Sequence, residues 1–106
     1  MNCRMILETK YKAGDIVFPS AIGRMLGISV GDAYRVLESC KNDGLVRVLY
    51  MMRCPICGTI FGRRFYSLNE VTEYVDDCYG EVACEHCDQY FVPKIDDNIV
   101  VYYEKI

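Results

Sequence analysis

Residues 47–58 read RVLYMMRCPICG, and two kinds of structure meet in them. From Leu45 to Met52 the β-branched, aromatic and other apolar residues read as a strand. Cys54-Pro55-Ile56-Cys57-Gly58 is then one half of a metal site, with only Met52 and Arg53 between the end of the strand and the first cysteine. The other half is Cys84-Glu85-His86-Cys87, and 26 residues separate the inner cysteines.

Two residues between ligands let a tight turn aim both sulfurs at one point while its backbone N–H groups face the thiolates. Gly58 eases the first of these turns. Two such knuckles complete a tetrahedron, and the long spacer implies an inserted element. The expected ligands are Cys54, Cys57, Cys84 and Cys87, and the expected cofactor is a structural zinc, because four thiolates leave the ion no open position for catalysis. A redox dithiol would need a βαβ setting, and the sequence has none. His86 reads as a surface or outer group, Cys3 and Cys40 as core residues, and Cys78 as either a buried residue or a free thiol.

Upstream of the strand the pattern is helical. Asn2 caps a first helix running to about Lys12, with Cys3, Ile6, Leu7 and Tyr11 on one face. Pro19 suits the start of a second helix ending at Leu26. Ser29 caps a third, which runs to about Asp43 with Val30, Ala33, Val36, Leu37 and Cys40 inward; Gly44 stops it. AIGRMLGISVGDAYRVL has the spacing of a helix-turn-helix, with Gly27 in the turn and Gly23 where two helices cross.

Downstream, Thr59 to Phe61 and Arg64 to Ser67 read as a hairpin through Gly62-Arg63. Ser67 and Glu70 form a capping box for a helix over Leu68 to Asp77. Tyr79 to Ala83 reads as a strand, and the chain closes with a hairpin of Gln89 to Ile95 and Ile99 to Lys105 around residues 96–98. The fold class is therefore α+β: a winged helix-turn-helix over residues 1–53, fused directly to a four-cysteine zinc ribbon over 54–106 with a short inserted helix and a C-terminal hairpin.

At 106 residues the chain has room for one ordinary domain or two modules too small to be secure without a staple. The longest apolar runs are too short to span a bilayer and the charged N-terminus does not suit an export signal, so a cytoplasmic protein without membrane contact is expected. The net charge of -3 is uneven: residues 1–53 carry eight bases against five acids, +3, and residues 54–106 carry four against ten, -6. The first half suits double-stranded DNA and the acidic half suits a protein partner.

The run PSAIGRMLGISVGDAYRVL, with the knuckles CPICG and CEHC, resembles in architecture the large subunit of transcription factor E and small prokaryotic regulators that join the same two modules. In transcription factor E those modules mainly contact other proteins and are joined by a longer connection than Met52-Arg53. The expected function is a non-enzymatic, zinc-stabilised nucleic-acid-binding protein, a transcriptional regulator or a component of a nucleoprotein complex. Ser29, Tyr34 and Arg35 would face a DNA groove, with Arg47, Arg53, Arg63 and Arg64 on phosphates. Asp32 and Glu38 on the same helix oppose that reading. The alternative is a protein–protein adaptor in a multi-protein complex, using the same scaffold without direct DNA readout.

Overall fold

A computed structural model of the chain describes residues 2–106. In chain order the elements are α1 (Cys3–Lys10), β1 (Ile16–Val17), α2 (Pro19–Leu26), α3 (Val30–Asn42), β2 (Val46–Met52), α4 (Leu68–Asp77), β3 (Val82–Ala83), β4 (Tyr90–Phe91), α5 (Ile95–Asn98) and β5 (Ile99–Lys105). The architecture is mixed α+β. One sheet has the strand order β1-β5-β2, and β3 and β4 form a separate antiparallel pair.

The chain divides into two units, Met1–Val48 with Tyr102–Ile106, and Leu49–Val101. The sequence assigned 102–106 to the zinc ribbon. In the structure β5 instead pairs antiparallel with β1, setting Ile16 opposite Glu104 and Val17 opposite Tyr103.

In the first unit each helix begins and ends for a local reason. The Asn2 side chain accepts from the Met5 N–H at 2.9 Å, and α1 then stops at Lys10, two residues earlier than expected. Pro19 opens α2, where its missing N–H leaves no bond unmade. Ser29 Oγ accepts from the Asp32 N–H at 3.1 Å to open α3. At its other end the Leu45 N–H reaches Cys40 O at 3.0 Å and the Gly44 N–H reaches Lys41 O at 3.0 Å, with Gly44 at φ 76°. That pair of bonds is a Schellman cap, and it turns the chain straight into β2.

Ile6, Leu7, Val17, Ile22, Ala33, Leu37, Val46 and Tyr103 form the buried core of this unit. Cys3 and Cys40 are buried with them, and burial pushes the Cys3 thiol up to about 12. Val30, expected inward, is instead about half exposed, because it stands at the first helical position, ahead of the turn that packs. Around the core, the Tyr103 hydroxyl donates to Glu38 at 2.7 Å, and Arg47 Nε donates to the buried Glu104 carboxylate at 2.9 Å. Lys41, and then Tyr103, hold the Glu38 carboxyl below its ordinary range.

Gly23 lies where α2 meets the turn before α3. A Cβ added there would stand 2.9 Å from the carbonyl oxygen of Ile28, a backbone atom that cannot swing away. We expect Gly23→Ala to destabilise this unit by about 1–3 kcal/mol in denaturant unfolding. An unchanged midpoint would show that the two helices are not held at this separation.

The second unit has its own small core of Met52, Phe65, Val71, Val82 and Phe91, joined by Cys54 and Cys84. Ser67 and Glu70 cap α4 as expected, except that Glu70 reaches the N–H of Tyr66 rather than that of Ser67. Ser67 Oγ accepts from the Glu70 N–H at 3.2 Å, and Glu70 reaches back to the Tyr66 N–H at 2.7 Å.

Both expected hairpins of this half are corrected. Gly62 does not take the positive φ that the expected tight turn demands, and the two flanking segments pair with the end of β2 instead of with each other. Tyr50 and Phe65 exchange backbone bonds of 2.7 and 3.0 Å, and the Phe61 N–H donates to Met52 O at 2.7 Å. At the C-terminal end, Pro93 lacks the N–H a ladder needs, so β4 is short and pairs with β3. Residues 95–98 then form the helical turn α5, whose buried Asn98 side chain accepts from the Lys94 N–H at 2.9 Å. The expected strand from Tyr79 to Ala83 is reduced to β3, because Tyr79 and Gly80 take positive φ in the turn that leaves α4.

Candidate metal centre

The two knuckles repeat one backbone plan. In the first, the Cys54 N–H donates to Thr59 O at 2.9 Å and the Gly58 N–H to Cys54 O at 2.9 Å. In the second, the Cys84 N–H donates to Gln89 O at 2.9 Å and the Asp88 N–H to Cys84 O at 2.8 Å. The fourth residue after the leading cysteine is left-handed in both, Gly58 at φ 77° and Asp88 at φ 61°. Glycine takes that conformation without strain, and aspartate is among the few other residues that tolerate it.

These turns bring the four cysteine sulfurs within 4.8 Å of one another. Cys54 Sγ lies 3.8 Å from Cys87 Sγ, and Cys57 Sγ lies 3.7 Å from Cys84 Sγ. A disulfide would need about 2.05 Å. A tetrahedron of sulfurs, each about 2.3 Å from a central zinc, has edges of about 3.8 Å. Two of the separations match that edge and all lie within 4.8 Å, so the four residues can hold a metal ion.

Electrostatics lead to the same place. Thr59 donates to Cys57 from its side chain and its backbone, and with smaller help from His86 and Cys84 lowers that thiol to about 5. At Cys87 the Gln89 N–H acts in the same direction but is outweighed, and burial with the neighbouring Cys84, Cys54 and Cys57 raises it to about 12. Crowded thiols resist ionising together, and a cation at their centre removes the conflict. Cys54 and Cys84 are buried, Cys87 is half-buried and Cys57 is exposed, so the cage opens to solvent on the Cys57 side.

Sequence reasoning passed over Thr59 and Asn98. Thr59 stands two residues past Cys57, where a hydroxyl beside a thiolate is a recognisable signal. The backbone oxygen of Asn98 accepts from the Arg53 N–H at 2.7 Å, fixing the chain immediately before Cys54. No local pattern marks that role, because its partner is distant in sequence. His86 is exposed and hydrogen-bonds Cys57. Cys78 ends α4 half-buried against the second core, beside Tyr74.

The residues expected on DNA divide between the units. Ser29 is exposed at the start of α3, and the Arg35 side chain is 87% exposed, 3.7 Å from Asp32. Tyr34, expected outward, packs on the first core with its ring 6.3 Å from that of Tyr103, and burial raises its pKa. Arg47 holds Glu104 in the same unit. In the second unit Arg53 is exposed and Arg64 half-buried, while the Arg63 guanidinium lies 4.7 Å from the Tyr74 ring centre and 5.7 Å from that of Phe65. The latter is a cation–π arrangement that fixes the arginine.

Comparison with protein-family models, curated proteins and solved structures returns no match. Among the described residues no helix is long and apolar enough to cross a membrane.

Proposed function

We propose that the chain is a zinc-stapled winged helix that binds duplex nucleic acid, with the cysteine unit set into its wing. The strand order β1-β5-β2, with β1 between α1 and α2 and β2 after α3, supports this reading most directly. A winged helix returns its last strand between the other two, and its wing is the connection from the second strand to the third. Here that connection carries the second unit. The architecture remains similar to the two modules of transcription factor E, but with the ribbon inserted between strands where the sequence reading appended it.

Zinc is the ion we assign to the cage, from its four thiolates and their convergence within 4.8 Å. Ser29 and Arg35 would face the groove, with the exposed Arg53 and the half-buried Arg64 at phosphates, while Arg47 is engaged with Glu104 and Arg63 with Tyr74. The Arg35–Asp32 pair is solvent-exposed and worth only a few tenths of a kcal/mol, so a phosphate can replace the aspartate.

Duplex DNA binding at two salt concentrations tests the proposal. We expect binding at low salt that weakens steeply as salt rises, and a triple Arg35→Ala, Arg53→Ala, Arg64→Ala variant whose log–log salt slope is smaller by as much as about 3. Absence of binding at low salt overturns the DNA reading. The adaptor reading then stands, supported by the acidity of the second unit, where four bases face nine acids for a net -5.

A further inference from the structure

The metal-bearing unit has an apolar groove that its own core leaves open. Val71, Thr72 and Val75 of α4 form one wall, and Pro93, Ile95 and Ile99 form the other, around a cavity of about 110 Å³. Ile95 stands at the groove 47% exposed, so its side chain offers apolar surface beside the concave wall. Ligand and cofactor pockets begin at about 300 Å³, so this cavity is too small for them and suits one aliphatic side chain.

Charge narrows the choice of occupant. Asp76 lines the groove, and Asp96 and Asp97 follow Ile95 directly in α5; Lys94 is the single base of that segment. A second copy meeting the groove through this same unit, which carries a net charge of -5, is repelled at neutral pH. A basic peptide is attracted, and its anchoring side chain loses apolar surface to water on docking.

We propose that this groove receives one leucine- or isoleucine-like side chain from a lysine- or arginine-rich segment of a partner protein, with Asp76, Asp96 and Asp97 meeting the flanking bases. The proposal needs a protein partner for the acidic second unit, and that need is compatible with either outcome of the duplex-binding test. Burying a leucine is worth about 1.5–3 kcal/mol, which is about ten- to a hundredfold in affinity.

The probe is a dye-labelled, lysine-rich dodecapeptide with one central leucine, added to the zinc-loaded chain and followed by anisotropy and by amide shifts. We expect saturable binding with the largest shifts at Val71, Val75, Ile95 and Ile99. Ile95→Asp, or aspartate in place of the peptide's leucine, should weaken it at least tenfold. An Asp96→Lys, Asp97→Lys double variant, which leaves the groove walls intact, should weaken it as well. The thiolate-to-metal charge-transfer band of the cobalt-substituted variants reports that the unit remains folded.

No binding, binding indifferent to Ile95→Asp, or equal binding of the leucine-free peptide overturns the proposal. Self-association that Ile95→Asp abolishes overturns it in favour of a second copy. A groove that takes no peptide removes this proposal alone, since the proposed function stands or falls on duplex binding.

Discussion

Replacing Cys84 with serine is expected to cost the second unit its fold. Cys84 is 1% exposed, so its loss leaves a weak ligand in the interior and a cage of three thiols. The unit spans only Leu49–Val101, with a few apolar side chains in its core, and a segment of that size buries too little surface to be secure alone. A structural zinc contributes an apparent 10–16 kcal/mol, about as much as the entire stability of an ordinary domain.

Elemental analysis of the wild-type chain should therefore give about one zinc per chain, and Cys84→Ser should give close to none. In the variant, amide signals from Leu49–Val101 should collapse to poorly dispersed positions. A strong chelator should do the same to the wild type. A metal-free wild type that keeps its dispersion in this segment would refute the structural role.

The largest effect expected in the first unit comes from Leu37→Ala. Leu37 is fully buried on α3 and belongs to the cluster of Ile6, Leu7, Ile22 and Val46. Truncation removes its transfer free energy and leaves a cavity that the surrounding helices only partly fill. The cost is about 2–5 kcal/mol, a large part of what holds a small domain folded. Leu37→Met, which keeps the volume, should cost less than about 1.5 kcal/mol. Denaturant unfolding of the zinc-loaded protein measures both. A loss below about 1 kcal/mol for the alanine variant would show that Leu37 does not pack at the centre of this unit.

Much of this molecule was legible where the deciding interactions are local. Asn2, Pro19, Ser29 and Ser67 mark helix starts because a cap needs only a side chain and a backbone group three residues away. Gly44 ends α3 for an equally local reason. The four cysteines were legible as a group because each C-x-x-C makes its own turn, and the two turns bring the four sulfurs close enough to hold a metal ion.

Strand pairing was the weak point. Residues 59–67 and 89–105 each contain two extended stretches about a turn apart, and sequence proximity suggests that they pair with each other. They do not. Phe61 and Phe65 bond to β2, β4 bonds to β3, and β5 returns to β1. Each such choice compares free energies of alternative partners, and the winning partner is distant in the chain.

The same limit applies to the arginines. Position suggested that Arg47 and Arg63 were open to phosphate, but burial of Glu104 and stacking on Tyr74 give each a partner that only the folded chain supplies.

By itself, then, the sequence determined α1 to α4, the caps that start them and the four cysteines that can hold a metal ion, all consequences of contacts within a few residues. Only the tertiary structure decided that β5 closes the first sheet after the cysteine unit has been inserted, because strand order is set by long-range hydrogen bonding and shared burial, which leave no local mark in the chain.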